Sequence, residues 1–384
     1  MPEPFKNVFN LRLIEGMAEH FHRHDSAFDK TAFIKQASFK LETLELKARS
    51  NQIMQAMQKY LPADFEHSAQ ILIASLLPLD EQLNEEQVTG GTINQQGISG
   101  WAIMPMADFV GIAYQNNPEQ VNFELAMQVL KACTKRFSAE FGIRYLINAE
   151  PEKSMIILNQ WATDENYHVR RLASEGSRPR LPWGMQLSGF IDDPKPLITL
   201  LEQLKDDNEE YVRRSVANNL NDIAKDHPTL IEDVAENWLL NADKNRIKLI
   251  KHACRTLIKK GNKRILTALG FSPVALKTSK LTLNTNTLMF GNSLMLTLKL
   301  NSNSAQEQLI NIDYIVHHQK ANGSTSPKVF KWQSRTLKAN EELLLTKKHT
   351  IKAITTRVYY PGEHKVEILI NGDVVCNNQF NLMM

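Results

Sequence analysis

Three short strings recur along this chain at nearly even spacing: His168-Val-Arg-Arg-Leu-Ala, Tyr211-Val-Arg-Arg-Ser-Val-Ala and Lys248-Leu-Ile-Lys-His-Ala. Aligned on Arg171, Arg214 and Lys251, they lie 43 and 37 residues apart. A period near 40 belongs to stacked helix pairs, in which no unit buries its apolar stripe alone and each leans on the next. Equivalent side chains then align, so a cation at the same place in successive units becomes a row. Such a row suits a phosphate backbone. It equally suits arginines that tie each unit to an acid in its neighbour.

The periodicity changes near residue 272. Before it, apolar residues recur at three and four positions, as in Val212, Val216, Leu220 and Ile223. After it come strand-like runs such as Leu294-Met-Leu-Thr-Leu-Lys-Leu and Val366-Glu-Ile-Leu-Ile, punctuated by Gly291-Asn292, Asn322-Gly323, Pro361-Gly362 and Asn371-Gly372. The expectation is a multidomain chain: an all-α HEAT-like repeat solenoid over residues 1–272, then an all-β immunoglobulin-like sandwich over 274–384, jointed at Phe271-Ser272-Pro273. The stretch from Asn84 to Gly100 reads as a loop within the helical part. From Val274 onward 13 Lys and Arg face 7 Asp and Glu, a local charge of +6 in a chain of net +3. Lys328, Lys331, Arg335, Lys347 and Lys348 could clamp DNA from the sandwich, or form the solvated face of a stability domain.

Several function classes are excluded or disfavoured. The best apolar stretch, Ile71 to Leu79, is broken by a proline and is far shorter than the roughly 20 residues of a membrane helix. The N-terminal MPEPFKNVFN lacks the apolar core of a signal peptide. Three scattered cysteines, Cys133, Cys254 and Cys376, fit a reducing cytoplasm and no disulfide framework. No Gly-x-Ser-x-Gly, phosphate-loop or His-Glu-x-x-His string is present. His20, His22 and His24 alternate on a helix and point apart, and with His317-His318 they make a poor metal site; none is expected.

Three stripes in the helical part carry chemistry. Arg136, Glu140 and Arg144, four apart, are expected on one helix face, with Phe137 and Phe141 turned to the core. Arg171 and Glu175 are again four apart. Arg214, Asn218 and Asn221 lie opposite Val212, Val216 and Leu220, a polar stripe that costs helix propensity and suggests bonding outside the helix. After Glu175, the segment Gly176-Ser-Arg-Pro-Arg-Leu-Pro-Trp-Gly184 holds two prolines, which stiffen it. It offers Arg178, Arg180 and Trp183 for stacking and phosphate contact, or uses Trp183 as a plug between repeats.

These segments resemble a known family, the AlkC-type DNA alkylation-repair glycosylases, relatives of the HEAT-like AlkD type. The matching stretches are Gly100 to Val110 (GWAIMPMADFV), Thr134 to Arg144 (TKRFSAEFGIR), His168 to Trp183 (HVRRLASEGSRPRLPW) and Ser215 to Pro228 (SVANNLNDIAKDHP), with Leu41 to Arg49 (LETLELKAR). Some members carry a C-terminal immunoglobulin-like domain. The resemblance implies excision of cationic N-methylated bases, such as 3-methyladenine and 3-methylcytosine, without metal or nucleotide cofactor; the expected partner is double-stranded DNA, and the chain is expected to act as a monomer. It places Glu140 at the family's catalytic acid and Arg136 where the AlkD type has a tryptophan. The Arg170-Arg171 pair looks like the family's arginine pair, and Asn218 stands where the AlkD type has an aromatic residue. Glu140 and Glu175 are the expected catalytic carboxylates. Arg136, Arg144, Arg170, Arg171, Arg178, Arg180, Trp183, Arg214, Asn218, Asn221 and Lys251 are the expected DNA contacts.

A base methylated at ring nitrogen 3 is already cationic and leaves without an acid. The enzyme must stabilise an oxocarbenium-like sugar and place a water, and a carboxylate can do both. No proton donor for neutral lesions is evident, so selectivity for cationic ones is expected. Flipping the base into a pocket and reaching the sugar from the backbone side both remain open. A scaffold that binds without chemistry, or a lesion sensor that does not cut, would share the same architecture.

Overall fold

The computed structural model describes residues 4–79 and 93–384. Most of the loop expected from Asn84 onward lies outside them. The helical part comprises α1 (Leu11–His24), α2 (Lys30–Ala37), α3 (Leu46–Tyr60), α4 (Phe65–Ser75), α5 (Ile103–Asn116), α6 (Phe123–Thr134), α7 (Ile143–Ala149), α8 (Pro151–Trp161), α9 (Tyr167–Gly176), α10 (Ser188–Asp192), α11 (Lys195–Leu204), α12 (Glu210–Ile223), α13 (Pro228–Leu239), α14 (Lys244–Ala253), α15 (Arg255–Lys259) and α16 (Lys263–Ala268). Helix starts follow the local chemistry: Asn10, Asp64, Asn122, Asn166 and Asp243 each accept a backbone N–H of the first turn. No described helix is long and apolar enough to cross a membrane.

By contact, the chain forms two compact units, Met1–Asp226 and His227–Met384. In the first, α5 is apolar on nearly all sides, the pattern of a buried helix, and it packs against α3, α6 and α7. The repeat helices α9 and α12 pack directly on each other, so His168-Val-Arg-Arg and Tyr211-Val-Arg-Arg become neighbours in space.

The expected stripe of Arg136, Glu140 and Arg144 is not a helix face. Helix α6 ends at Thr134 and α7 begins at Ile143, leaving a non-helical turn between them. Gly142, at the end of the turn, packs closely on α5. A Cβ there would lie 2.1 Å from the Ala107 carbonyl oxygen, so only glycine lets this turn rest on α5. Phe137 and Phe141 consequently line a cavity instead of the core.

The switch to strands falls between Ala268 and Leu276, so the second unit holds the last helices as well as the sandwich. One sheet has the order β1 (Leu276–Leu283), β3 (Ser293–Ser302), β6 (Glu342–Thr350). The other runs β2 (Thr287–Met289), β8 (Asp373–Met383), β7 (Gly362–Ile370), β4 (Gln308–Gln319), β5 (Thr325–Leu337). Alternating leucines of β3 (Leu294, Leu296, Leu298, Leu300) meet Ile310, Ile312, Val366 and Ile368 across a single core. Asn371-Gly372 joins β7 to β8 with both residues at positive φ, +49° and +84°, the hairpin turn that Asn-Gly favours. The same turn ties the helical tail down: Asn371 Nδ2 donates to the Ser272 carbonyl at 2.6 Å, and Lys263 Nζ reaches the Asn371 carbonyl at 3.2 Å. The joint at residues 271–273 therefore marks a change of secondary structure, while the compact units divide at Asp226.

One end of the sandwich buries His318, His349 and His364 among aromatic rings. Burial drives His349 down to about 4, and it lowers His364 as well. Folded His349 thus stays neutral over a range in which the unfolded chain takes up a proton. Stability must fall as pH drops from about 6.5 toward about 4, by at most about 1.4 kcal/mol per pH unit for this ring. In thermal melts across that range, His349→Phe should flatten the acid loss of stability; an unchanged slope would contradict the assignment.

Candidate active site

A cavity of about 600 Å³ opens in the first unit, walled by Trp101, Phe137, Phe141, His168, Trp183 and Tyr211 and by the polar groups of Lys47, Ser138, Glu140, Arg171, Glu175 and Arg178. Its polar wall is a chain of alternating charges. Arg171, on α9, donates through Nη1 to Glu140 Oε2 and to Ser138 Oγ at 2.8 Å. Ser138 Oγ in turn donates to Glu140 Oε2 at 2.8 Å. On its other side Arg171 Nη2 lies 3.6 Å from Glu175 Oε1, one helical turn ahead. Glu175 also accepts from Arg178 Nη1 at 2.6 Å and from Ser215 Oγ, on α12, at 2.7 Å. Arg178 Nε continues to Asp222 Oδ2 at 2.8 Å, and Lys225 Nζ meets Asp222 Oδ1 at 2.8 Å.

Glu175 is only 6% exposed. Burial alone would push its carboxyl up, but Arg171, Arg178 and the bonds from Ser215 and Arg178 outweigh it and hold Glu175 below the usual glutamate range. Arg171 is pulled in the opposite sense: burial disfavours its charge, yet Glu140 and Glu175 raise it further. The guanidinium also rests over the Tyr211 ring, 5.0 Å from its centroid. Two carboxylates are thus presented on one cavity wall with one buried cation between them. Carboxylates held in fixed positions can stabilise positive charge that develops next to them.

Of the expected DNA contacts, Arg144 is wholly buried at 0% exposure, and its guanidinium grips the carbonyls of Gly176, Arg178 and Met185. It shapes the loop from beneath and cannot reach a phosphate. Arg136 is likewise spent inside, on the carbonyls of Leu77 at 2.7 Å and Ala132 at 3.0 Å. Arg170 forms the inter-repeat link that was the alternative reading, with Nε and Nη2 on Asp207 at 2.6 and 3.0 Å. Arg180 pairs with Asp226 in the same bidentate way at 2.8 and 2.9 Å, on the surface. Arg171 and Arg178 do reach the cavity, as partners of its carboxylates. Arg214 is exposed on α12, Asn218 is half-buried and Asn221 buried. Lys251 is exposed on α14, in the second unit. Trp183 stands 68% exposed at the cavity rim, so it does not plug a gap between repeats.

The sequence reading passed over Ser138, Ser215 and Asp222, which fix the carboxylates and arginines, and His168 and Tyr211, which wall the cavity. The last two had a signal: they are the first residues of the recurring strings, and their rings stand 5.9 Å apart. His20 and His22 bond to backbone carbonyls of Asn94 and Phe28, and among the described residues no cluster of three His, Cys, Asp or Glu is gathered around a metal position.

Residues 277–384 match the family model described as "Uncharacterised protein YhaZ, C-terminal Ig-like domain". The chain is 32% identical over 373 residues to the uncharacterized protein YhaZ of Bacillus subtilis (strain 168), covering 96% of each. Among solved structures, the Pseudomonas fluorescens alkylpurine DNA glycosylase AlkC, bound to DNA containing an abasic site analog, superposes with a TM-score of 0.87 at 30% identity, over 100% of both chains.

Removing Arg171 would leave the buried Glu175 and the half-buried Glu140 without their shared cation. Breaking one partner from a buried pair costs about 3–5 kcal/mol. Arg171→Met should therefore lower stability in chemical denaturation by that order. A loss below about 1 kcal/mol, the range of exposed pairs, would show that the network is solvated and weak.

Proposed function

This chain belongs to the family of YhaZ and the AlkC-type alkylpurine DNA glycosylases, and from that premise we propose that it hydrolyses the N-glycosidic bond of cationic alkylated bases, such as 3-methyladenine and 3-methylcytosine, in double-stranded DNA. The observation that carries the proposal is the pair of carboxylates, Glu140 and Glu175, held on the wall of an open cavity by Arg171. The full-length likeness to AlkC, solved with an abasic site analog in its DNA, supports the reading.

A lesion base that already carries positive charge is its own leaving group. As its bond to the sugar stretches, charge moves onto the deoxyribose, and the carboxylates stabilise it without rearranging. One of them accepts a proton from the attacking water. Glu175 bonds to two arginines and a serine, so it serves better as a fixed negative charge. Glu140, nearer the Ser138 hydroxyl, is the better-placed base for water. The aromatic wall and the exposed Trp183 indole offer faces against which bases stack. Arg214 and Lys251, both exposed, remain candidates for the phosphate backbone. Neutral lesions would need a proton on the departing base, and Glu175 is held in its charged form by its arginines.

Single-turnover base release from DNA carrying 3-methyladenine tests this directly. Glu140→Gln and Glu175→Gln should each slow release by about 10²–10³-fold, the equivalent of about 2.7–4 kcal/mol of lost electrostatic stabilisation, and the wild type should leave neutral hypoxanthine in place. Binding of the lesion without an abasic product would instead identify a lesion sensor.

A further inference from the structure

The loop after Glu175 holds its tryptophan in a conformation that it does not adopt unaided. Trp183 has φ of +65°, a left-handed backbone that is strained for a bulky L residue and persists only where neighbours impose it. Two neighbours do so. Arg144 grips the loop from below through the carbonyls of Gly176, Arg178 and Met185. The second hold comes from 136 residues away in sequence: Lys47, in the first turn of α3, donates its ammonium to the Trp183 carbonyl.

Lys47 is itself held in place. Its Nζ lies 5.9 Å from the centroid of the Phe141 ring. It also lines a second, smaller cavity of about 200 Å³ together with Asn51, Asp108, Tyr145, Trp183 and Gly184. The two cavities share Lys47, Met104, Phe141 and Trp183 as a common wall. On the far side of that wall, burial pushes the Asp108 carboxyl up to about 7, and the charge of Lys47 draws it back. An exposed lysine bonded to a carbonyl and lying near a ring face is poorly placed to act as a mobile phosphate contact.

We infer that Lys47 is a positioning residue for Trp183: by holding its carbonyl, it keeps the exposed indole at the rim of the active-site cavity in a single orientation. The consequence for DNA rests on the glycosylase reading above; the geometry does not. Lys47 acts through Trp183, and its removal costs nothing further once the indole is gone.

The full-length protein labelled with 5-fluorotryptophan carries five tryptophans, and the Trp183 fluorine resonance is the one missing from Trp183→Phe. In Lys47→Met this resonance should shift or broaden while those of Trp161, Trp238 and Trp332 stay in place, and Lys47→Arg should restore it. On alkylated DNA, Lys47→Met should slow release by about tenfold in the wild-type background and by less than about twofold in Trp183→Ala, as a double-mutant cycle reports for coupled residues. An unmoved Trp183 resonance in Lys47→Met, or losses that multiply in the double variant, would overturn the inference. Absence of base release by the wild type would count against the glycosylase reading alone and leave the fluorine spectra to decide this one.

Discussion

The site depends on one guanidinium placed between two carboxylates. A buried carboxylate without a partner takes up a proton; paired and hydrogen-bonded, it stays charged. For Glu175 that partner is Arg171, which also bonds Glu140, and the chain of charges runs on through Arg178 and Asp222 to Lys225. Each link comes from a different piece of the fold: the turn before α7, helix α9, the proline-rich loop and helix α12. Stacking of successive repeats brings these pieces together, and the ion pairs in turn fix how the repeats stack. A charged site of this kind adds little to stability beyond what an apolar core would give. Its value lies in carboxylates held at fixed positions on a cavity wall.

Around that centre the protein restrains its backbone with arginines and lysines. Arg144 holds three carbonyls of the proline-rich loop, Arg49 holds carbonyls of Leu44, Lys6 and Phe9, and Arg136 anchors the turn before α7 to Leu77. A guanidinium can satisfy several carbonyls at once in a fixed geometry, which suits segments where regular hydrogen bonding lapses. The turn holding Glu140 is such a segment, and so is the loop holding Trp183.

Much of this was legible from residues alone. The change of periodicity near residue 272 reported helices giving way to strands, and Asn371-Gly372 reported a hairpin turn. The recurring His168 and Tyr211 strings reported neighbours in space, and Glu140 and Glu175 do meet in one cavity. The roles of the cations were not legible. In sequence, Arg144 and Arg171 look alike, because what separates them is whether a carbonyl or a carboxylate, tens of residues away, stands opposite. The stripe from Arg136 to Arg144 failed because the chain leaves the helix after Thr134 and re-enters one only at Ile143, with Gly142 packed against the Ala107 carbonyl. Ser215 and Asp222 sat inside recognised strings, but their task is set by the neighbouring repeat.

The account stands on Glu175 remaining ionised although buried. Carbon-13 NMR of the side-chain carboxyl, followed through an acid titration of the intact protein, reads that charge at the atom concerned. A midpoint below the ordinary glutamate value, moving upward when Arg178 is replaced by methionine, is the expected result. A midpoint above that value would mean that burial prevails over the arginines, that the cavity wall is neutral at working pH, and that the cation-stabilising site described here does not exist.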